Sequence, residues 1–339
     1  MYDNKIHVVL AVYDSRGTYS RHAGVALASM FSNTTSPVSV HILHDETLNE
    51  DNKNKFIGLT EKFGQEIDFI DVSEHIGKFC ADSADSNKLA RVFSRGALFR
   101  LFIQDLLSID KVIYLDCDVV VELDIKELWD ANLGDCKVGA VLDEIARNID
   151  ACSKRRFFFC GYAGIEVKKY FNSGVVIFNL KKIREAGVNI SALTLEFFRR
   201  YPYALFPDQD FLNKVFQKSM YEMDLKFNYF GSGTDYSSTD GKLWHFAGDK
   251  PWERVKGLPT DVLYWRYFAM TPWSRDLAVD MIEAWAGSRF IGVRSSECYK
   301  ILWRKFKKSL STGYIWPLFK IAVIWHDVIY RIRKRFDFK

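Results

Sequence analysis

Asp116 and Asp118, two residues apart in VIYLDCDVV, are the pair whose types and spacing suggest chemistry most directly. In an extended segment the period of two points both carboxylates to one face, with Cα atoms about 6–7 Å apart. Like charges that close repel, and a cleft of low dielectric strengthens the repulsion. A divalent cation between them relieves it, and a cation with few protein ligands keeps positions open for phosphate oxygens. The structural alternative is that one aspartate caps the helix starting near Asp124 while the other is solvated.

The elements around the pair decide what it can face. Residues 6–13 (IHVVLAVY) are β-branched and apolar and end at Asp14, Ser15 and Gly17, the pattern of a buried strand running into a loop. A helix follows over 20–31, then a strand over 38–44, a helix over 50–63, a strand over 67–72, a helix over 95–107 and a strand over 111–115. Further strands are expected at 137–142 and 174–180, and shorter, aromatic-rich elements from about 190 onward. This alternation predicts an α/β domain with a mostly parallel central sheet and right-handed crossovers. Ligands in such sheets lie beyond the carboxyl ends of the strands, where Asp14, the Asp116–Asp118 pair and Asn179 are expected.

A haloacid-dehalogenase-type phosphotransferase also carries DxD after a strand. That family has the pair on its first strand, usually followed by Gly-Thr, whereas here it follows a later strand and precedes Val119-Val120. Five ordered segments point elsewhere: VVLAVYDSRGTYSRHAGVALASM, RGALFRLFIQDLLSIDKVIYLDCDVVVELDIKELW, YFNSGVVIFNLKKIRE, FPDQDFLNKVF and LWHFAGDKPW. Over roughly residues 5–275 the chain resembles the family 8 glycosyltransferases, and within them the bacterial lipopolysaccharide α-galactosyl and α-glucosyltransferases.

The resemblance implies a single Rossmann-like nucleotide-diphospho-sugar transferase domain of the GT-A type over 1–275, with a helical basic and aromatic extension over 276–339. It implies Asp116, Asp118 and His245 as ligands of Mn²⁺, with Mg²⁺ as a substitute, and Gly248 and Lys250 at the donor diphosphate. A small residue and a compact point charge suit that task. Ala11, Tyr13, Asp14 and Tyr19 lie where the family grips uracil and ribose. The family commonly has an acidic residue where Tyr13 stands, so which residue of this loop meets the uracil stays open. Arg100 in ALFRLF matches an arginine that reaches the donor sugar or its phosphates. Asn172 in YFNSGV matches a residue near that sugar, and Asp208 and Gln209 in PDQD match the pair on its reacting face. By composition alone Asp208 could equally be a helix N-cap, since Pro207-Asp208 precedes an amphipathic run.

The implied reaction is retaining transfer of glucose or galactose from a UDP-sugar to a saccharide or lipid-linked saccharide hydroxyl, forming an α-linkage in lipopolysaccharide core or other surface glycan synthesis. The alternatives are a DxD-type metal-dependent phosphohydrolase or nucleotidyltransferase, and a glycan-binding scaffold that has lost turnover.

At 339 residues, 48% hydrophobic and 27% charged, the chain has the balance of a globular protein, which excludes wholesale disorder, a collagen-like repeat and a polytopic membrane protein. The net charge of +4 is unevenly spread. Residues 300–339 hold eleven Lys/Arg, two Asp and nine aromatics, while 1–299 carry a net −5. Basic residues flanking aromatic faces suit a helix lying in an anionic membrane surface. With no recognised nucleic-acid motif beside the charge, nucleic acid is not an expected partner. The family's lipopolysaccharide members act at the inner face of the cytoplasmic membrane, which implies a cytoplasmic, peripheral location here. The opening MYDNKIHVVLAVYDS reads as a poor signal peptide, and the six cysteines form no CxxC pair, so free thiols in a reducing compartment are expected.

Overall fold

The computed structural model describes residues 5–82, 95–143, 154–201, 204, 206–230, 238–253, 255 and 257–276. The basic extension expected over 276–339 therefore lies outside the described residues, apart from Asp276. No helix among the described residues is long and apolar enough to cross a membrane.

Among the described residues nine strands form two sheets: β1 Ile6–Val12, β2 Val38–His44, β3 Glu66–Asp71, β4 Lys111–Leu115, β5 Val119–Val121, β6 Val138–Leu142, β7 Phe171–Asn179, β8 Met220–Glu222 and β9 Leu243–His245. The larger sheet has the order β3-β2-β1-β4-β7-β6-β8, and β5 pairs with β9 in the smaller one. β1 runs parallel to β2 and β4, β2 to β3, and β6 to β8. Only β7 runs against its neighbours β4 and β6, so the sheet is mostly parallel, as the alternation of elements predicts.

Period two on β1 divides the core. Val9 and Ala11 join one apolar layer, while Ile6, Val8, Leu10 and Val12 join the other, beneath helix α1 (Ser20–Asn33). Both faces of β1 are apolar because helices cover both sides of the sheet. Burying a Leu or Phe side chain contributes about 1.5–3 kcal/mol, which is why these strands read as unbroken apolar runs.

Two expectations are corrected. The helix expected over 95–107 is broken into a turn of α-helix at Arg95–Phe99, a 3₁₀ turn at Arg100–Phe102 and a second α-helical turn at Ile103–Leu106. The winding tightens where the Arg100 side chain turns inward to the carboxylates of Asp116 and Asp208. Second, the strand expected at 174–180 starts at Phe171 and runs antiparallel, pairing Asn179 with Lys111 at the start of β4. Asn179 thus sits at the end of the strands opposite the Asp116–Asp118 turn. It caps the next helix by accepting from the Lys182 N–H. The opposite end of β7, with Asn172, Ser173 and Gly174, is what reaches the carboxylate pair.

Candidate active site

The Asp116–Asp118 pair follows β4, but the backbone does not stay extended. Cys117 and Asp118 form a turn between β4 and β5, so the carboxylates converge through that turn and not through the period of two. The turn is held from several sides. Asp116 N–H donates to Gly174 O at 2.7 Å, Phe246 N–H donates to Asp118 O at 2.9 Å, and the Cys117 thiol donates to Ala11 O at 3.2 Å. Burial, with Asp116 adding to it, pushes the Cys117 thiol up, which leaves it a neutral packing group between two acids. Cys117 and Cys136 are thiols outside any disulfide, as expected for those two.

β9 delivers the third member. Val119 pairs with His245 across the small antiparallel sheet, so the imidazole arrives beside the turn. Its Nε2 lies 3.7 Å from Asp116 Oδ2 and 3.4 Å from Asp118 Oδ1. Among the described residues, Asp116, Asp118 and His245 offer ligand atoms that all lie within 4.8 Å of one another. The remaining oxygen of each aspartate is matched by a cation. Asp116 Oδ1 accepts from Arg100 Nη2 and from the Tyr114 hydroxyl, both at 2.8 Å, and Asp118 Oδ2 accepts from the Lys250 ammonium. Burial alone would raise the Asp118 carboxyl, but His245 and Lys250 hold it well below the usual carboxylate range. Two ionised oxygens and one imidazole nitrogen facing a common point are a donor set that fits a divalent ion such as Mn²⁺.

Arg100 is a buried organiser and not a solvated helix arginine. Its guanidinium donates to Ser173 O at 2.7 Å and Ala97 O at 3.2 Å, lies 3.5 Å from Asp208 and stacks 4.4 Å from the Tyr114 ring centroid. Burial opposes its charge, but Asp116, Tyr114 and Asp208 more than restore it. Burial pushes the Asp208 carboxyl up, while Arg100 pulls it part of the way back.

The Pro207–Phe216 helix presents Asp208 and Gln209 together. Its N-cap is Phe206, so Asp208 does not cap it, and Asp210 reaches back to accept from the Phe206 N–H at 3.0 Å. Gln209 is held at both ends of its amide. Oε1 accepts from Ser173 N–H at 3.0 Å, and Nε2 donates to Asp143 Oδ2 at 3.0 Å. Because a backbone N–H can only donate, this fixes which way the amide points.

The loop after β1 separates its candidates. Asp14 is buried and accepts from the N–H groups of Tyr19 and Ser20, from the Ser20 hydroxyl and from Asn52 Nδ2. It therefore closes the N-terminus of α1, where a carboxylate meets free N–H groups and the helix dipole. Ala11, Tyr13 and Tyr19 instead line a cavity of about 360 Å³ together with Arg100, Asp116 and Asp118. A neighbouring cavity of about 400 Å³ shares Tyr13 and Tyr19 and adds Asp14 and Lys250. It is walled by His22, which stacks on Trp252 at 3.8 Å and bonds the Tyr264 hydroxyl at 2.7 Å. Burial, with Arg21 adding to it, pushes that imidazole down to about 3, so His22 is a neutral wall.

Gly248 lies exposed in the loop between His245 and Lys250, with nothing within 4 Å of where a Cβ would stand. Asn172, Asp208 and Gln209 line neither cavity. Instead they meet the Asp116–Asp118–His245 cluster through Ser173, Arg100 and Asn228.

The family model for glycosyl transferase family 8 matches residues 10–256. The chain belongs to that family. It is 28% identical over 295 residues to General stress protein A of Bacillus subtilis, covering 80% of this chain and 96% of the relative. It is 29% identical over 202 residues to the lipopolysaccharide 1,2-glucosyltransferase of Escherichia coli, covering 55% and 57%. The crystal structure of the galactosyltransferase LgtC with donor and acceptor sugar analogs superimposes with a TM-score of 0.64 at 24% identity, over 79% of this chain and 96% of that one, which shows the shared GT-A fold. Family membership makes the chain a glycosyltransferase and leaves the phosphohydrolase reading without support.

Sequence reasoning missed Tyr114, Cys117, Asp143, Ser173, Gly174 and Asn228. Four of these sit inside the segments that carry the family resemblance. Asp143 and Asn228 had no local signal.

Proposed function

We propose that the protein transfers a hexose, glucose or galactose, from its UDP-sugar to a saccharide hydroxyl with retention, within lipopolysaccharide core or related surface glycan synthesis. The observation that carries this reading is the convergence of Asp116, Asp118 and His245 at the rim of a cavity lined by Ala11, Tyr13 and Tyr19. The lipopolysaccharide 1,2-glucosyltransferase and the Salmonella typhimurium lipopolysaccharide 1,3-galactosyltransferase among its relatives support the acceptor class.

Asp116, Asp118 and His245 would hold Mn²⁺, which when bound supplies positive charge to the donor's phosphates. The chain's own groups do the rest. Tyr13 and Tyr19 wall the nucleotide end, and Lys250, already drawn to Asp118, brings a second positive charge to the departing diphosphate. Gln209 is unsuited to attack at carbon, because an amide is a poor nucleophile and both its ends are engaged. Retention then follows from front-face attack. The bond from the anomeric carbon to phosphate oxygen breaks ahead of the new bond from the acceptor oxygen, through a short-lived oxocarbenium-like ion pair. The departing phosphate oxygen takes the acceptor hydroxyl's proton. The protein contributes orientation and charge placement.

UDP release from each common UDP-hexose, with Mn²⁺ and with EDTA, tests this reading. Slow hydrolysis of one donor that EDTA abolishes is expected. Release that survives EDTA would overturn the metal role, and absence of both turnover and Mn²⁺-dependent UDP binding would overturn the donor assignment.

The same proposal places the protein on the inner face of the cytoplasmic membrane through residues 300–339, on the strength of their charge and aromatic content. Full-length protein should sediment with anionic vesicles, and a chain ending at Ser296 should remain in the supernatant. Equal sedimentation of both would overturn the attachment.

A further inference from the structure

We propose that Asn228 is a positioning residue that accepts from His245 Nδ1–H and so leaves Nε2 as the ring nitrogen that faces Asp116 and Asp118 and would bind an ion. The inference rests on the metal-site reading for its functional meaning but not for its geometry.

The argument runs along a chain of donors and acceptors anchored at the backbone. Gly174 N–H can only donate, and it bonds Asn172 Oδ1 at 2.9 Å. That oxygen also receives an amide group of Asn228 at 2.9 Å, so the group facing it must be Nδ2. The other end of the Asn228 amide is therefore Oδ1, and it stands 2.9 Å from His245 Nδ1. Oxygen facing nitrogen requires the imidazole to donate from Nδ1. In the neutral ring Nε2 is then the bare acceptor, and it faces Asp118 Oδ1 at 3.4 Å and Asp116 Oδ2 at 3.7 Å.

Asn228 is fully buried, and its surroundings fix it. It ends the 3₁₀ turn Leu225–Asn228. The next residue is stitched to the strand that carries the histidine: Tyr229 N–H donates to Leu243 O at 2.8 Å, and His245 N–H donates to Tyr229 O at 3.0 Å. The relay thus joins β7, the 3₁₀ turn and β9. An outer amide that sets the tautomer of a ligating histidine typically governs metal affinity by about 10–100-fold.

Two readouts test the proposal on the full chain. The first is the imidazole ¹⁵N spectrum without added metal, in which His245 is identified among seven histidines by the signal missing from His245→Gln. A proton on Nδ1 is expected in the wild type, whether or not Nε2 is also protonated, and a bare Nδ1 there would overturn the proposal outright. The second is Mn²⁺ binding followed by the EPR signal of the free ion. Asn228→Leu, which offers no acceptor, should bind Mn²⁺ about 10–100-fold more weakly and lose the fixed Nδ1 proton. Asn228→Asp keeps an acceptor for Nδ1–H but loses the donor to Asn172 Oδ1, so it should keep the Nδ1 proton and bind Mn²⁺ more tightly than Asn228→Leu. Wild-type affinity in a folded Asn228→Leu, or loss in Asn228→Asp as deep as in Asn228→Leu, would overturn the role. Should Asn228→Leu fail to fold, the wild-type spectrum and Asn228→Asp still decide it. If the wild type itself bound no Mn²⁺, the metal reading would fall, while the Nδ1 proton would still judge Asn228.

Discussion

Gly174→Ala is expected to lower turnover by about 100-fold or more while leaving a folded protein. A Cβ on Gly174 would stand 2.2 Å from His245 Cε1 and 2.7 Å from Asp116 Oδ2. No rotamer of the alanine avoids the clash, so the imidazole or the β7 backbone must move. A misplacement of about 1 Å in a preorganised site costs on the order of 100-fold in rate. Overpacking of this kind destabilises by about 1–3 kcal/mol, which a domain of this size survives. Turnover of the donor found by the screen, Mn²⁺ binding and a thermal melt measured together check the prediction. Gly58→Ala provides the control. It lies in the Glu50–Lys62 helix with nothing within 4 Å of its Cβ position, so it should keep wild-type turnover. If Gly174→Ala turned over within threefold of wild type, the close packing of β7 against His245 would not matter to the reaction.

Arg100→Leu is expected to be the most destabilising substitution at the site, by about 3–5 kcal/mol, the usual cost of leaving a buried charge without its partner. It strips Asp116 Oδ1 of its cation and leaves Asp208 among buried groups with its main counter-charge gone. It also frees Ser173 O, which Arg100 holds at 2.7 Å, and so loosens the β7 end that positions Gln209. Activity should fall with stability. Arg100→Lys separates the two losses. A lysine restores a charge near Asp116 but cannot span Asp116, Ser173 O and Ala97 O with one ammonium. It should recover part of the stability and little of the turnover. Urea unfolding of the three proteins, with UDP release from each, provides the comparison. Equal stability of Arg100→Leu and wild type would show that the carboxylates there need no buried counter-ion.

Much of the α/β order was legible because each of its signals is local. The apolar runs at Ile6–Val12, Val38–His44 and Lys111–Leu115 are each buried on both faces, and a strand buried on both faces can be recognised without its neighbours. The DxD pair was legible for a similar reason, since two acids after a buried strand are costly unless something compensates them. Where two elements compete, local reading failed. The helix over 95–107 broke because Arg100 answers Asp116 just after β4 and Asp208 on the Pro207–Phe216 helix, a demand that helical periodicity does not contain. Position alone also did not show that Asp14, which lines a cavity as its place after β1 suggests, is claimed by four donors at the start of α1.

By itself the sequence determined the strand and helix alternation, the place of Asp116 and Asp118 at a strand end, and the five segments that mark family 8. These depend on residue type and spacing within short windows. Tertiary structure alone decided that β7 runs backwards and offers Gly174 instead of Asn179 to the site, that β9 folds His245 beside Val119, and that Asn228 aims the imidazole. Each of those rests on pairing between segments far apart in the chain, and such pairings follow from how the whole core packs and from the donors and acceptors it must satisfy.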